Sequence, residues 1–560
     1  TWIIAILVSL SLACGSNNAT VADGMPSDLV WTTDSQGVPD VGDLGDISKG
    51  DGDESYDAEG PGPERDVLTD APLDQPEFEA AADEPDLPSE IGDADSEQAQ
   101  PADEDLEISA TDDEIEEQET PGPVAVFDMD MIRDPTTADC AFTNHKTAFK
   151  DGVVLDVWNV SYTSWDSIDG VLVPIRIQGF AAKPVGSDKD LPGIIHAHGL
   201  GGWSDEANAT GPAALLGMFV IAYTGPGGGV GELELPSEGL PASYDDGYRM
   251  FNTIPDPRGS WFWGHAVAAM RGLTCLETRP EVDPQLLGMT GYSAGGVATL
   301  MVSGVDERVK ASVPLSACGR WDIATQAPHA WQHALLTAAG LDTASPEWAV
   351  LLQELDPGVL SAQSGAAIMM TNGTSDEFFP LTAHVPTYQA LSGADKRTSL
   401  AGNYDHGCFA LTGVEDAQTI EDRASLRARG AQRMWLRHWL TDDADYAYVP
   451  AAPVVELTPA GLVTVATVLV DGGGDALSVE SVHFWWSSDD AFLWGNVELP
   501  YDGGLIQEMV QVPTAANTIA FIDVQYKTKA LLLPMRFSIS SLPVIPPGLI
   551  PHIRDMESCL

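Results

Sequence analysis

One stretch, Leu286 to Leu300, constrains this chain more than any other. Residues 286–290 are mostly apolar and predict a short buried strand. Gly291-Tyr292-Ser293-Ala294-Gly295 then fits G-x-S-x-G, and an Ala/Val/Leu helical pattern follows. Strand, sharp turn and helix in that order push the turn's serine out at the top of a sheet. Gly291 and Gly295 flank the turn, where side chains would collide with the neighbouring strand and helix, and Gly296 lets the helix pack close. The plainer alternative is a glycine-rich strand–helix connection with no chemistry. Five-residue patterns recur by chance, so the residues that would work with Ser293 decide between the two.

Short apolar runs alternate with helical periods around that stretch. Strands are expected at 153–162 and 171–182, joined by an Asp169-Gly170 hairpin turn, then at 193–197, 218–224, 286–290, 311–315, 366–371 and 398–401. Helices are expected at 258–278, directly after Ser293, at 380–391 and at 415–440, with a helical insertion over 321–363. This alternation predicts an α/β domain, a mostly parallel sheet with helices on both faces. From Pro450 the texture changes. Five β-rich runs between 462 and 539, separated by Gly, Asp or Pro turns, predict a small all-β sandwich. The expected division is 123–448 for the α/β domain, 449–545 for the sandwich and 546–560 for a tail.

The first quarter reads differently. Trp2 to Ala13 is apolar apart from Ser9 and Ser11, too short to span a bilayer, and residues 1–13 match the h-region of a signal peptide. The chain begins at Thr1, so a basic n-region is expected upstream of it. Ser11-Leu12-Ala13-Cys14-Gly15 resembles a bacterial lipoprotein cleavage site, with Cys14 taking the lipid. An ordinary secretory signal cut nearby is the alternative, and the polar run after Cys14 favours the lipid. Either way the protein is expected to be exported. With the lipid it is anchored to a membrane surface of the bacterial cell envelope (outer membrane or cell surface) without spanning it; otherwise it is periplasmic or secreted. Residues 14–122 form an acidic linker, in which Val21 to Thr120 carries 34 Asp and Glu against Lys49 and Arg65. Such a segment cannot bury enough apolar surface to offset its ordering entropy and is expected to be disordered. Of the net charge of −59, the rest of the chain keeps 51 acidic residues against 24 basic ones, which makes nucleic acid a poor partner.

A serine hydroxyl is a weak nucleophile unless a histidine base, oriented by a carboxylate, takes its proton. Downstream of Ser293 the α/β region holds His329, His333, His384, His406 and His438. His406 alone falls in a short loop after the last strand, so it is the expected base; a loop histidine bonded to Asp405 is the alternative. Asp376 follows a strand and a Gly-Thr-Ser turn and is the expected acid, with Glu377 and Asp405 as rivals. The expected donors to an oxyanion are the backbone amides of Ala294 and of Leu200 in the loop His198–Gly202. His198 is read as holding that loop by hydrogen bonds, and His196 as a core histidine. Trp203, Trp261, Trp263, Trp321 and Trp331 either line a sugar or aromatic subsite or belong to the core.

Taken together, His198-Gly199 after a strand, Pro257-Arg258-Gly259-Ser260-Trp261, Gly291 to Gly296, Gly373-x-x-Asp376 and Tyr404-x-His406-Gly407 resemble the α/β-hydrolase superfamily. The resemblance covers about residues 150–445 and is nearest to acetyl xylan esterases, dienelactone hydrolases and the catalytic domain of prolyl oligopeptidases. It implies the α/β-hydrolase fold and a triad of Ser293, His406 and Asp376. Acetyl xylan esterases usually carry Gln after the nucleophile, where this chain has Ala294. Prolyl oligopeptidases usually place a propeller ahead of the domain, where this chain has the acidic segment. The expected activity is cleavage of carboxylic esters, on small molecules or polysaccharides, through an acyl-enzyme and without cofactor or metal. Two alternatives stay open: a serine peptidase of the prolyl-oligopeptidase type, and a catalytically inactive surface binding protein, against which the presence of all three residue types argues. None of the six cysteines forms Cys-x-x-Cys, which argues against a cysteine-based zinc site. Cys318 and Cys408 each follow a strand near the expected site and are a candidate disulfide.

Overall fold

The computed structural model describes residues 126–545 apart from 188, 229–234, 242–243, 245–248, 327–329, 394, 407–424, 461–462, 489–492, 511–517 and 530–533. The signal-like segment, Cys14, the acidic linker and the tail at 546–560 lie outside the described residues.

Nine strands build the main layer: β1 (Ala141–Lys150), β2 (Val153–Ile168), β3 (Val171–Pro184), β4 (Leu191–Ala197), β5 (Phe219–Thr224), β6 (Val282–Tyr292), β7 (Val309–Leu315), β8 (Ala367–Gly373) and β9 (Lys396–Ala401). They lie in the order β1-β2-β3-β5-β4-β6-β7-β8-β9. The first three strands and the β3–β5 pair are antiparallel, and every pairing from β5 to β9 is parallel. At the β2–β3 turn, Asp169 and Gly170 have φ of 51° and 76°, the left-handed pair that a two-residue hairpin demands. Every residue of β4, β5 and β8 is buried, as in strands covered on both faces.

Neighbouring residues of one strand supply the two cores, because side chains alternate across a sheet. Ile195 packs with helices Trp261–Glu277 and Ala294–Val305, while Ile194 packs with helices Glu206–Leu216 and Ala431–Leu440. The helix at 206–216 was not legible as a period in the sequence. Its ends are: Asp205 and Asn208 form a reciprocal capping box, and Gly217 closes it at φ 72°. Of the helix expected over 415–440, residues 415–424 lie outside the described ones, and a π-helical turn at Ser425–Gly430 leads into Ala431–Leu440.

The C-terminal region contributes β10 (Val454–Ala460), β11 (Val463–Leu469), β12 (Leu477–Ser487), β13 (Gly495–Glu498), β14 (Leu505–Val510), β15 (Ile519–Thr528) and β16 (Arg536–Ser540). Strands β10, β11 and β14 form a separate three-stranded sheet. The other four continue the main sheet in the order β16-β15-β12-β13, through antiparallel pairing of Ser540 with Thr398 on β9. Ala466 and Val468 of β11 share one apolar cluster with Val482, Phe484 and Val524, and that cluster runs on to Met369 and Trp435. The two β layers thus face each other as a sandwich, and one of its sheets is the main sheet continued.

Cys140 and Cys275 form a disulfide with Cα atoms 5.7 Å apart, across a sequence separation of 135. Closing a loop that long constrains the unfolded chain by on the order of 2–5 kcal/mol. Of the candidate pair Cys318 and Cys408, Cys318 is a buried free thiol and Cys408 lies outside the described residues.

Candidate active site

Ser293 sits at the junction of β6 and the helix Ala294–Val305 with φ 59° and ψ −123°. A non-glycine residue held there costs on the order of 1–3 kcal/mol, so its surroundings must enforce it. They do: its N–H donates to the Leu315 carbonyl at 3.0 Å, and its carbonyl accepts the Val297 N–H at 2.9 Å. A side chain at Gly291 would lie 2.5 Å from the Gly295 carbonyl and 2.7 Å from that of Ala197, and one at Gly295 would run into the Ala197 carbonyl. Both glycines are therefore required by close backbone approach.

The loop after β9 brings His406 to this turn. Its Nε2 lies 2.9 Å from Ser293 Oγ. Its Nδ1 lies 3.0 Å from Asp376 Oδ2 and 3.2 Å from Oδ1. A carboxylate only accepts, so Nδ1 is the donor and the lone pair of Nε2 faces the serine hydroxyl. Asp376 Oδ1 is in turn fixed by the amides of Phe378 and Phe379, which donate at 3.0 and 2.9 Å. Burial pulls the His406 pKa down, but the charge and hydrogen bond of Asp376 outweigh it and hold it above the ordinary imidazole value.

Of the three carboxyl candidates, Asp376 reaches the ring nitrogen. Glu377 accepts the backbone N–H of His406 at 3.1 Å instead, and so holds the loop. Burial first, then the charges of Asp376 and Asp405, push Glu377 up to about 8. Of the charges that lift His406, that of Asp376 is the largest, ahead of that of Glu377. The imidazole stacks on Tyr292 and meets Phe378 at a tilt, with ring centroids 5.1 and 4.2 Å away. The Tyr292 hydroxyl also donates to the His406 carbonyl. The insertion covers this loop. Trp331 packs on Phe378 and Phe379 at 5.6 and 6.0 Å, and Gln332 Nε2 donates to the Phe378 carbonyl at 3.0 Å. None of these aromatic contacts was read from the sequence. Tyr292 is the variable second position of G-x-S-x-G and Phe378 follows Asp376 by two, but spacing does not tell which ring meets the imidazole.

His198 does what its position after β4 implied. Its Nδ1 donates to the Gly199 carbonyl at 2.7 Å, and its Nε2 accepts the Gly225 N–H at 2.8 Å. Burial lowers its pKa to about 4, which keeps it neutral in that tautomer. It thereby ties the His198–Gly202 loop to Gly225, the residue directly after β5. A side chain at Gly199 would lie 3.3 Å from Ser293 Cβ, so Leu200 follows directly on the residue that touches the serine. Ala294 is the first residue of the following helix. His196 is buried in β4, with its pKa lowered to about 4 by burial and then by His198. His384 bonds Thr398 Oγ1 at 3.0 Å, His438 bonds the Tyr446 carbonyl at 2.7 Å, His333 lies on the helix Trp331–Ala338, and His329 is outside the described residues. Trp261, Trp263, Trp321 and Trp331 are at most 3% exposed and belong to the core, while Trp203 is half-buried.

The strand order, the chain order of Ser293, Asp376 and His406, and the turn geometry are those of the α/β-hydrolase fold, and the chain is in class a serine hydrolase. Its more particular likeness is to one family. Residues 146–318 match the family model described as Acetyl xylan esterase (AXE1). That span takes in the His198–Gly202 loop and Ser293 and stops short of Asp376 and His406. Among solved structures, the acetyl xylan esterase from Paenibacillus sp. R4 is 19% identical over 52% of this chain and 89% of that one, with a TM-score of 0.42. Acetyl xylan esterase 1 from Thermoanaerobacterium sp. JW/SL YS485 is 16% identical over 54% and 93%, with a TM-score of 0.40. The acylaminoacyl peptidase of Pyrococcus horikoshii is 12% identical over 54% and 51%, with a TM-score of 0.37. No curated protein matches this chain.

Proposed function

We propose that this chain is an exported serine hydrolase that cleaves carboxylic esters of small molecules or polysaccharides. The observation that carries the reading is the hydrogen-bonded run from Ser293 Oγ through His406 to Asp376, on a segment that begins within the acetyl xylan esterase match. Ser293 Oγ attacks the ester carbonyl carbon as its proton passes to His406 Nε2. The carbonyl oxygen, now an anion, is held by the amides of Leu200 and Ala294. Collapse breaks the bond to the alcohol oxygen, which takes the proton from Nε2. Water then repeats the sequence on the acyl-enzyme and frees the acid. Throughout, Asp376 stabilises the imidazolium and fixes its tautomer.

Treatment with a fluorophosphonate probe is expected to label Ser293, with p-nitrophenyl acetate turned over in preference to a peptide anilide. Labelling elsewhere, or none, overturns the assignment; preference for the anilide turns it into a peptidase. Export is supported by the Cys140–Cys275 disulfide, since reducing compartments keep such thiols apart. The two cysteines are expected to be bridged in protein isolated from its native cells under non-reducing conditions. Recovery of both as free thiols removes that support.

A further inference from the structure

We infer that the C-terminal β layer positions His406, with Asn403 as the positioning residue that transmits its hold. The inference rests on the reading of His406 as the base. His406 lies five residues beyond the end of β9, in a loop that a short excursion could carry away from Ser293. Beyond the Glu377 and Tyr292 bonds to the backbone of His406 itself, two clamps restrain the residues before it. On the side of the main domain, the Ser375 N–H donates to the Tyr404 carbonyl at 3.1 Å, and the Asn403 N–H donates to Thr374 Oγ1 at 2.9 Å. These bonds tie the His406 loop to the loop that carries Asp376.

The second clamp comes from the C-terminal layer. Asn403 Nδ2 donates to the Trp494 carbonyl at 2.8 Å, and the Trp494 N–H donates to Asn403 Oδ1 at 2.8 Å. One buried side-chain amide thus satisfies both backbone groups of a single residue, as a neighbouring strand would. Only one orientation of the amide gives both bonds. Asn403 has φ 58°, a left-handed conformation that asparagine accepts more readily than most residues. Beside it, the Trp485 ring lies so close to Gly402 that any side chain there would run into it. Trp485 and Trp494 pack with Phe521, Ile519, Leu381 and Leu400 in an apolar cluster that joins the C-terminal strands to β9 and the helix Leu381–Ala390. The seam below is polar and paired: Ser399 and Ser538 hydroxyls are 2.6 Å apart, and the Leu400 N–H donates to Ser540 Oγ at 2.9 Å.

The separation from Asn403 to His406 is three residues. A misplacement of about 1 Å at a reacting group costs on the order of 10²-fold in rate. The C-terminal layer therefore acts on the reaction through loop position.

The test uses Asn403→Gly and Asn403→Ala in the full chain. Glycine adopts φ 58° without strain, so it removes the two bonds to Trp494 while leaving the backbone free to keep its shape. Expected for both variants is a 10–100-fold fall in kcat for p-nitrophenyl acetate with KM within about twofold, and a matching fall in the rate of fluorophosphonate labelling. The acid limb of kcat/KM moves to lower pH as the His406–Asp376 contact loosens. A purely architectural role would leave that limb in place. Asn403→Gly with wild-type kcat and an unmoved limb overturns the inference while wild-type labelling at Ser293 leaves the hydrolase reading standing. A wild-type protein that is not labelled at Ser293 sinks both.

Discussion

Ser293→Ala is expected to abolish ester turnover, with kcat for p-nitrophenyl acetate falling roughly 10⁴–10⁶-fold. The loss is large because the variant removes the atom that forms the acyl-enzyme. Water activated directly by His406 Nε2 supports only the residual rate that oxyanion donors and binding provide. The fold is expected to survive. The strain at φ 59° is the same for alanine, and the backbone bonds to Leu315 and Val297 do not involve the side chain. Steady-state rates beside far-ultraviolet circular dichroism check both halves. A folded variant that keeps the wild-type rate overturns the nucleophile assignment.

Asp376→Asn is expected to cost about 10⁴-fold in kcat, although it changes one heavy atom. The amide oxygen of the new side chain stays where Oδ1 is, because the Phe378 and Phe379 amides both donate there. The amide nitrogen then takes the place of Oδ2 and points an N–H at His406 Nδ1. Nδ1 must accept, so the ring carries its proton on Nε2 and can no longer take one from Ser293. The pH dependence follows from the same contact. His406 must be neutral to act as base, and its raised pKa means that wild-type kcat/KM climbs as pH rises through a value above the ordinary imidazole 6.5. Removing the carboxylate lowers that pKa, so the limb of the residual activity shifts to lower pH. A pH–rate profile of the variant with its limb at the wild-type position would rule out Asp376 as the source of the shift.

Much of the site was legible because the residues carry their own context. Ser293 is flagged by glycines that the close backbone approach at Ala197 requires, and its strand and helix are strongly apolar. Asp376 and His406 were found by their place after strands, and the structure brings them to the serine at hydrogen-bond distances. Asp376 was the expected acid and it is the one that meets the ring, but that Glu377 would take the backbone N–H of His406 instead was not legible. Asp376, Glu377 and Asp405 share one chemistry, and which one meets the ring depends on how two loops pack. The Cys140–Cys275 pairing was not legible for a related reason. Strand-end placement put Cys318 near the site but says nothing of its partner, whereas Cys140 meets Cys275 only once the segment before β1 lies against the helix Trp261–Glu277.

The β-rich texture after Pro450 was visible, since alternation is a local property. Its pairing with β9 was not, because strand edges carry no sequence label and any extended backbone can donate and accept along them. The sequence alone therefore determined the alternation of most strands and helices, the strained serine turn and the identities of the reacting groups, which are matters of local stereochemistry and residue type. Only the tertiary structure decided which rings and backbone bonds hold His406, which cysteines join, and that the C-terminal layer continues the main sheet and reaches Asn403. Those are long-range contacts, fixed by the packing of distant segments whose composition permits many partners and whose folded geometry selects one.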